Sequence, residues 1–255
     1  MLWCKDNISC CNKFFAPLAV LAIAVAFRVW FYSNDNWMPS RDTLRYVERV
    51  VQWKTTGQLY DAQTESARAQ EYYPPLLLAL MKSLSAGDKN CLRAGVIINI
   101  VAGVVFCLLS YWIGWLLFKR VSGAYIAGLF AAVNPFLIGL SIQVQREMLL
   151  LVFAAAILCL WLKDDFECPR DVVVGGVLTA LAFLSRYEAV ELLPMWWVVL
   201  WIRMRKNTSW PVRCGWCLVL LAVFVCSVLL LGWLCGAPPR LYYNQSQRIV
   251  RGLLR

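Results

Sequence analysis

Seven apolar runs divide the chain, at residues 14 to 32, 92 to 118, 122 to 141, 148 to 162, 172 to 185, 189 to 202 and 214 to 235. A helix needs about 20 residues to cross the hydrocarbon core of a bilayer, and the fourth, fifth and sixth runs fall short of that. The pattern predicts an all-α polytopic membrane protein with about seven transmembrane or partly inserted helices. Runs five and six could be joined as one helix of about 46 Å, but "SRYEAVELLP" would then put three charges at its middle. A helical hairpin with those charges at its turn avoids that cost. The first run, "FFAPLAVLAIAVAFRVWFY", is interrupted by Arg28 and followed by no small-residue cleavage site, so it reads as a retained span rather than a signal peptide.

One long connection, residues 33 to 91, carries a different pattern. In "RDTLRYVERVVQWK", Leu44, Tyr46, Val47, Val50, Val51 and Trp53 fall on one half of a helical wheel. Asp42, Arg45, Glu48, Arg49 and Gln52 fall on the other, with Lys54 the intruder on the apolar side. Ser40 is placed to cap the start. The expectation is an interfacial helix lying on the membrane surface, apolar side down. A polar stretch, a stiff Tyr-Pro-Pro turn and a second short amphipathic helix follow. No repeat is visible, and the chain reads as one module, residues 1 to 255, with 33 to 91 an outer loop and 236 to 255 an outer tail.

Charge then sets an orientation. With the N-terminus cytoplasmic, Lys5 and Lys13, Lys119 and Arg120, Lys163 and Arg170, and "RMRK" with Arg213 all fall inside, as the positive-inside rule favours. The tail's four arginines are the one discord. The net charge of +10 lies between spans, where orientation and anionic lipid account for it, so nucleic acid is not an expected partner. The chain has no histidine, which excludes His-dependent triads and His-ligated metals. Most of the 11 cysteines sit in apolar runs as small hydrophobes, and Cys214 with Cys217 is a lone C-x-x-C without a second clean pair. No cofactor is expected, although Asp42 and Glu147 could share a divalent cation.

In this topology the outer rim gathers Arg28, Arg93, Arg146 with Glu147, and Arg186 with Glu188, with Asp42 and Arg45 above them. Snorkelling and structural ion pairs account for such residues singly. Together they suit a substrate with a phosphate head and a long hydrocarbon tail. Arginine presents phosphate with a planar fork of donors, and a carboxylate can take a proton from an attacking hydroxyl.

The ordered features resemble the C-type (GT-C) membrane glycosyltransferases, in particular relatives of protein O-mannosyltransferases and of aminoarabinose lipid A transferase. The residues that carry the likeness are Arg28, "RDTLRY" with Asp42 and Tyr46, "GQLY", "YYPPLLLAL" with Tyr73, Pro74 and Pro75, "NPFLIGLSIQVQREMLLL" with Asn134, Pro135 and Glu147, and "GGVLTALAFLSRYEAVELLP". The resemblance implies a seven-helix GT-C core and inverting transfer of a sugar from a polyprenyl-phosphate donor to a lipid, glycan or protein hydroxyl. It implies Asp42 as general base and Glu147 as a second acid. Arg45, Arg146, Arg186 and Arg28 would hold the donor phosphate, and Tyr46, Tyr73, Pro74 and Pro75 would form a substrate loop. Thr43 stands where many relatives have a second acid, and Tyr72 and Tyr73 stand where some have a lysine. Relatives usually continue beyond the seventh span, so the chain would be a fragment or a pared-down form. The implied setting is the bacterial plasma membrane, or the endoplasmic reticulum in a eukaryote. A noncatalytic scaffold or inactive remnant is the main alternative; a lipid or solute transporter would be expected to show repeated halves and paired broken helices.

Overall fold

The structure, a computed structural model, describes residues 3–34, 39–60, 73–87, 90–163, 168–204 and 209–237, with backbone alone for 3–14 and Cys168. The side chains of Lys5, Lys13, Cys4, Cys10, Cys11 and Cys168, together with Tyr72, Arg205, Lys206 and the tail from 238 with its "NQS", lie outside the described residues. Among the described residues every regular element is a helix. They are α1 (Trp3–Asn34), α2 (Arg41–Thr56), α3 (Pro75–Leu84), α4 (Cys91–Phe118), α5 (Val121–Val133), α6 (Pro135–Ile142), α7 (Arg146–Leu162), α8 (Cys168–Ser185), α9 (Leu192–Arg203) and α10 (Trp210–Leu234). A short 3-10 helix, Tyr187–Glu191, joins α8 to α9.

Among the described residues three helices are long and apolar enough to cross a membrane: the Phe15–Asn34 part of α1, α4 and α10. The pair α5 and α6 makes a fourth if it counts as one span bent by 56°. That bend falls at Asn134-Pro135. Pro135 has no N–H to continue the helix, and Asn134 Oδ1 caps the restart by accepting from Phe136 N at 3.0 Å and Leu137 N at 3.3 Å. Large apolar side chains such as Phe15, Ile126, Phe130, Phe136 and Leu218 stand exposed around the helices, as lipid contact requires.

α4 is the central helix, packed by α1, α3, α5, α6 and α7, while α8 packs on α7 and α10. One core fills the space between α1, α4 and α5, and another lies between α7, α8, α9 and α10. The hairpin reading of 172 to 202 holds. Trp196 of α9 is fully buried against Gly175 of α8 and donates from Nε1 to Thr179 Oγ1 at 3.1 Å, which a continuous helix would forbid.

α2 departs from expectation in what covers it. Ser40 does cap it, accepting from Thr43 N at 3.2 Å, and Gly57, in the left-handed region with φ 74°, ends it. Its inner face, however, rests on α3 and α4 within a third core that includes Tyr46, Val50, Trp53, Leu77, Met81 and Met148, rather than on lipid. The face is also rotated from the wheel assignment. Leu44 is exposed, and Arg49 is buried with its guanidinium carbon 4.2 Å from the centre of the Tyr73 ring. Lys54 is accommodated by donating to Ser85 O at 2.9 Å, at the end of α3. Thr43 is buried and donates to Val144 O at 3.3 Å, tying α2 to the approach to α7.

Candidate active site

Three segments distant in sequence meet at one end of the bundle: the first turns of α2, the first turn of α7 and the residues just after α8. α2 contributes Asp42 and Arg45, one helical turn apart and paired at 3.5 Å, with Asp42 largely exposed. The start of α7 contributes Arg146 and Glu147, whose side chains approach to 3.6 Å. Arg186, which begins the 3-10 turn, reaches across to Glu147 with NH1 at 3.3 Å and holds Glu188 with Nε at 3.2 Å. Arg186 therefore bridges two carboxylates, and Glu147 lies between two guanidinium groups.

Tyr46 is buried beside this set. Burial pushes its phenol well above the ordinary range. The ring also feels the charges of Arg146, Glu147, Asp42 and Arg186, which contribute with opposing signs. Glu188 is shifted the other way. Burial alone would raise its pKa, but backbone hydrogen bonding, the Arg186 bond and the charges of Arg186 and Arg146 outweigh it and hold the carboxyl below its usual value.

The Tyr-Pro-Pro turn packs against the same helix. Tyr73 meets Tyr46 edge to face at 6.4 Å, its carbonyl accepts from Tyr60 OH at 2.7 Å, and Pro74 and Pro75 are buried at the start of α3. Beside the cluster opens an apolar groove of about 550 Å³, lined by Tyr187, Glu188, Val190, Pro194, Trp197 and Leu221. Charged groups thus stand at the edge of a space with apolar walls.

Arg28 does not join the cluster. Its guanidinium is fully buried among α1, α4, α5 and α6, where it donates to Ser141 Oγ and to backbone carbonyls. A charged side chain in a span finds its partners inside the protein. Arg93 is exposed on the first turn of α4. Arg49, by contrast, belongs to the supporting shell. The sequence signal for it is its place one turn after Tyr46 on the helix.

The fold and the cluster together define a polytopic helical membrane protein with an arginine and carboxylate site at the edge of an apolar groove. The family model for dolichyl-phosphate-mannose-protein mannosyltransferase matches residues 73–233, and the chain belongs to that family. It is accordingly a membrane-embedded glycosyltransferase of the GT-C type. The matched stretch contains Tyr73, Glu147, Arg146 and Arg186 and leaves Asp42, Arg45 and Tyr46 before it. No curated protein and no solved structure matches the chain.

Proposed function

We propose that the protein transfers a sugar from a polyprenyl-phosphate donor to a hydroxyl of a lipid, glycan or protein at the outer membrane face, with inversion. The observation that carries this reading is the meeting of Arg146, Glu147 and Arg186 in ion pairs of 3.3 to 3.6 Å, beside the Asp42–Arg45 turn of α2 that Thr43 ties to Val144 O at 3.3 Å. Arg45, Arg146 and Arg186 bind the donor phosphate, and the apolar groove beside Glu188 takes the first isoprene units. Asp42 is the general base, since it is exposed at the water side of α2 where an acceptor hydroxyl can approach. The acceptor oxygen forms a bond to the sugar's anomeric carbon as the bond to the phosphate oxygen breaks. The acceptor proton passes to Asp42, and the bond pair leaves with the polyprenyl phosphate. Arginines stabilise the charge that develops on that leaving group. Guanidinium groups supply the positive charge in this scheme, so it calls for no metal ion.

Glu147 is the second acid of the site, and its pairing with Arg146 and Arg186 sets their spacing. The N-terminus is cytoplasmic in this reading, and the chain acts as one module. Replacing the base tests it. Asp42→Asn should lower turnover by roughly 10²- to 10⁴-fold, the contribution typical of general base catalysis. Binding of polyprenyl phosphate should stay within about threefold of wild type, because the phosphate is held by arginines. Wild-type turnover in the Asp42→Asn protein would remove Asp42 from the chemistry.

A further inference from the structure

We propose that Arg28 is a positioning residue: its buried guanidinium braces the elbow between α5 and α6 and so holds the first turn of α7, with Arg146 and Glu147, in the site. This rests on the roles given above to Arg146 and Glu147.

The elbow leaves a backbone group without its helical partner. In an unbroken helix Phe136 N–H would donate to Ala132 O, but here it donates to Asn134 Oδ1. An unpaired carbonyl at membrane depth is costly. Arg28 NH1 approaches Ala132 O at 3.5 Å and its own Ala24 O at 3.1 Å, while Nε donates to Ser141 Oγ at 3.1 Å on the far side of the bend. One rigid planar group thus touches α1 and both arms of the broken span. Among the described residues no carboxylate pairs with it, and its remaining nitrogen, NH2, is enclosed without a partner.

From the elbow the path to α7 is short. Ser141 donates to Leu137 O and lies 3.6 Å from Met148 Sδ, one residue beyond Glu147. Gln143, between the helices, has its carbonyl held by Asn99 Nδ2 of α4, and Val144 O accepts from Thr43 of α2. The sequence prepares the space on α4 as well. A Cβ on Gly103 would collide with both Ser141 Oγ and Arg28 Nε, so only glycine lets the brace form.

Backbone hydrogen exchange of the full chain in lipid nanodiscs tests this without requiring turnover. Arg28→Met should speed exchange over residues 134 to 149 by at least tenfold while leaving α8 to α10 within about twofold. Gly103→Ala, acting from another helix, should reproduce that pattern. Ser141→Ala should give a smaller, similarly local rise, and Arg28→Lys should restore part of the protection. If Arg28→Met does not fold, the Gly103 and Ser141 variants decide the matter alone. Unchanged exchange at 134 to 149, or acceleration spread over the whole chain, overturns the proposal. So does a loss of polyprenyl-phosphate binding in Arg28→Met with normal exchange, which would make Arg28 a phosphate ligand. An inactive wild-type protein, or an active Asp42→Asn protein, would count against the proposed reaction and leave the brace untouched.

Discussion

Replacing Arg186 by methionine keeps an unbranched apolar stem and removes the guanidinium with its charge and donors. In the folded protein NH1 lies 3.3 Å from Glu147 and Nε lies 3.2 Å from Glu188. A pair at that distance is worth about 1.3 kcal/mol in bulk-water dielectric and about 5 kcal/mol at an effective dielectric of 20. Arg186 and Glu147 are each about one-third exposed, with side-chain values of 31% and 33%, so solvent screening favours the lower end. The protein should therefore fold. Donor binding should suffer more. One charge-assisted hydrogen bond to phosphate contributes about 1.5 to 3 kcal/mol, which is roughly a 10- to 150-fold weaker dissociation constant. Freed from Arg186, the Glu147 and Glu188 carboxylates would also repel the phosphate, so tenfold is the smaller expectation. The assay is equilibrium binding of a polyprenyl phosphate to nanodisc-embedded protein, with the unphosphorylated polyprenol as reference. Arg120→Met, at the opposite end of α4, controls for the loss of one positive charge. Binding within threefold of wild type, or an equal loss for polyprenol, would refute the assignment of the phosphate site.

Two further outcomes follow from the geometry. The Glu188 carboxyl is held below its ordinary pKa of 4.5, so its contribution to stability is complete above that pH and is lost as pH falls through the lower, folded value. The thermal midpoint should drop on acidification below about pH 4.5, and Glu188→Gln should flatten that drop; parallel profiles for the two proteins would contradict it. Gly175→Ala puts a methyl group into the buried ring of Trp196, and overpacking of this kind costs about 1 to 3 kcal/mol. A thermal midpoint equal to wild type in differential scanning fluorimetry would mean that α8 and α9 do not meet there.

Much of the fold could be read directly, because lipid solvation writes itself into composition. The runs at 92 to 118 and 214 to 235 correspond to α4 and α10 with ends shifted by no more than four residues. The Ser40 cap was equally legible, since it depends on the chemistry of a few adjacent residues. The burial of α2 was not. An amphipathic pattern states that one face avoids water and leaves open whether lipid or protein covers it. The amphipathic pattern predicts a membrane-facing helix, and the rotation that exposes Leu44 and buries Arg49 on Tyr73 depends on α3, α4 and the Tyr-Pro-Pro turn.

The same division runs through the candidate site. Sequence alone determined which groups are available: no histidine, a limited set of carboxylates, and arginines at the ends of apolar runs, because charge near a span end follows from the cost of burying it. Only the tertiary structure decided which of them act together. It carried Arg186 to Glu147 across 39 positions of chain and drew both toward Tyr46. It turned Arg28 inward, to Ser141, 113 positions away. The physical reason is that a pattern along one helix fixes the direction of a side chain relative to its own axis. The partner it meets depends on how separate helices pack against each other.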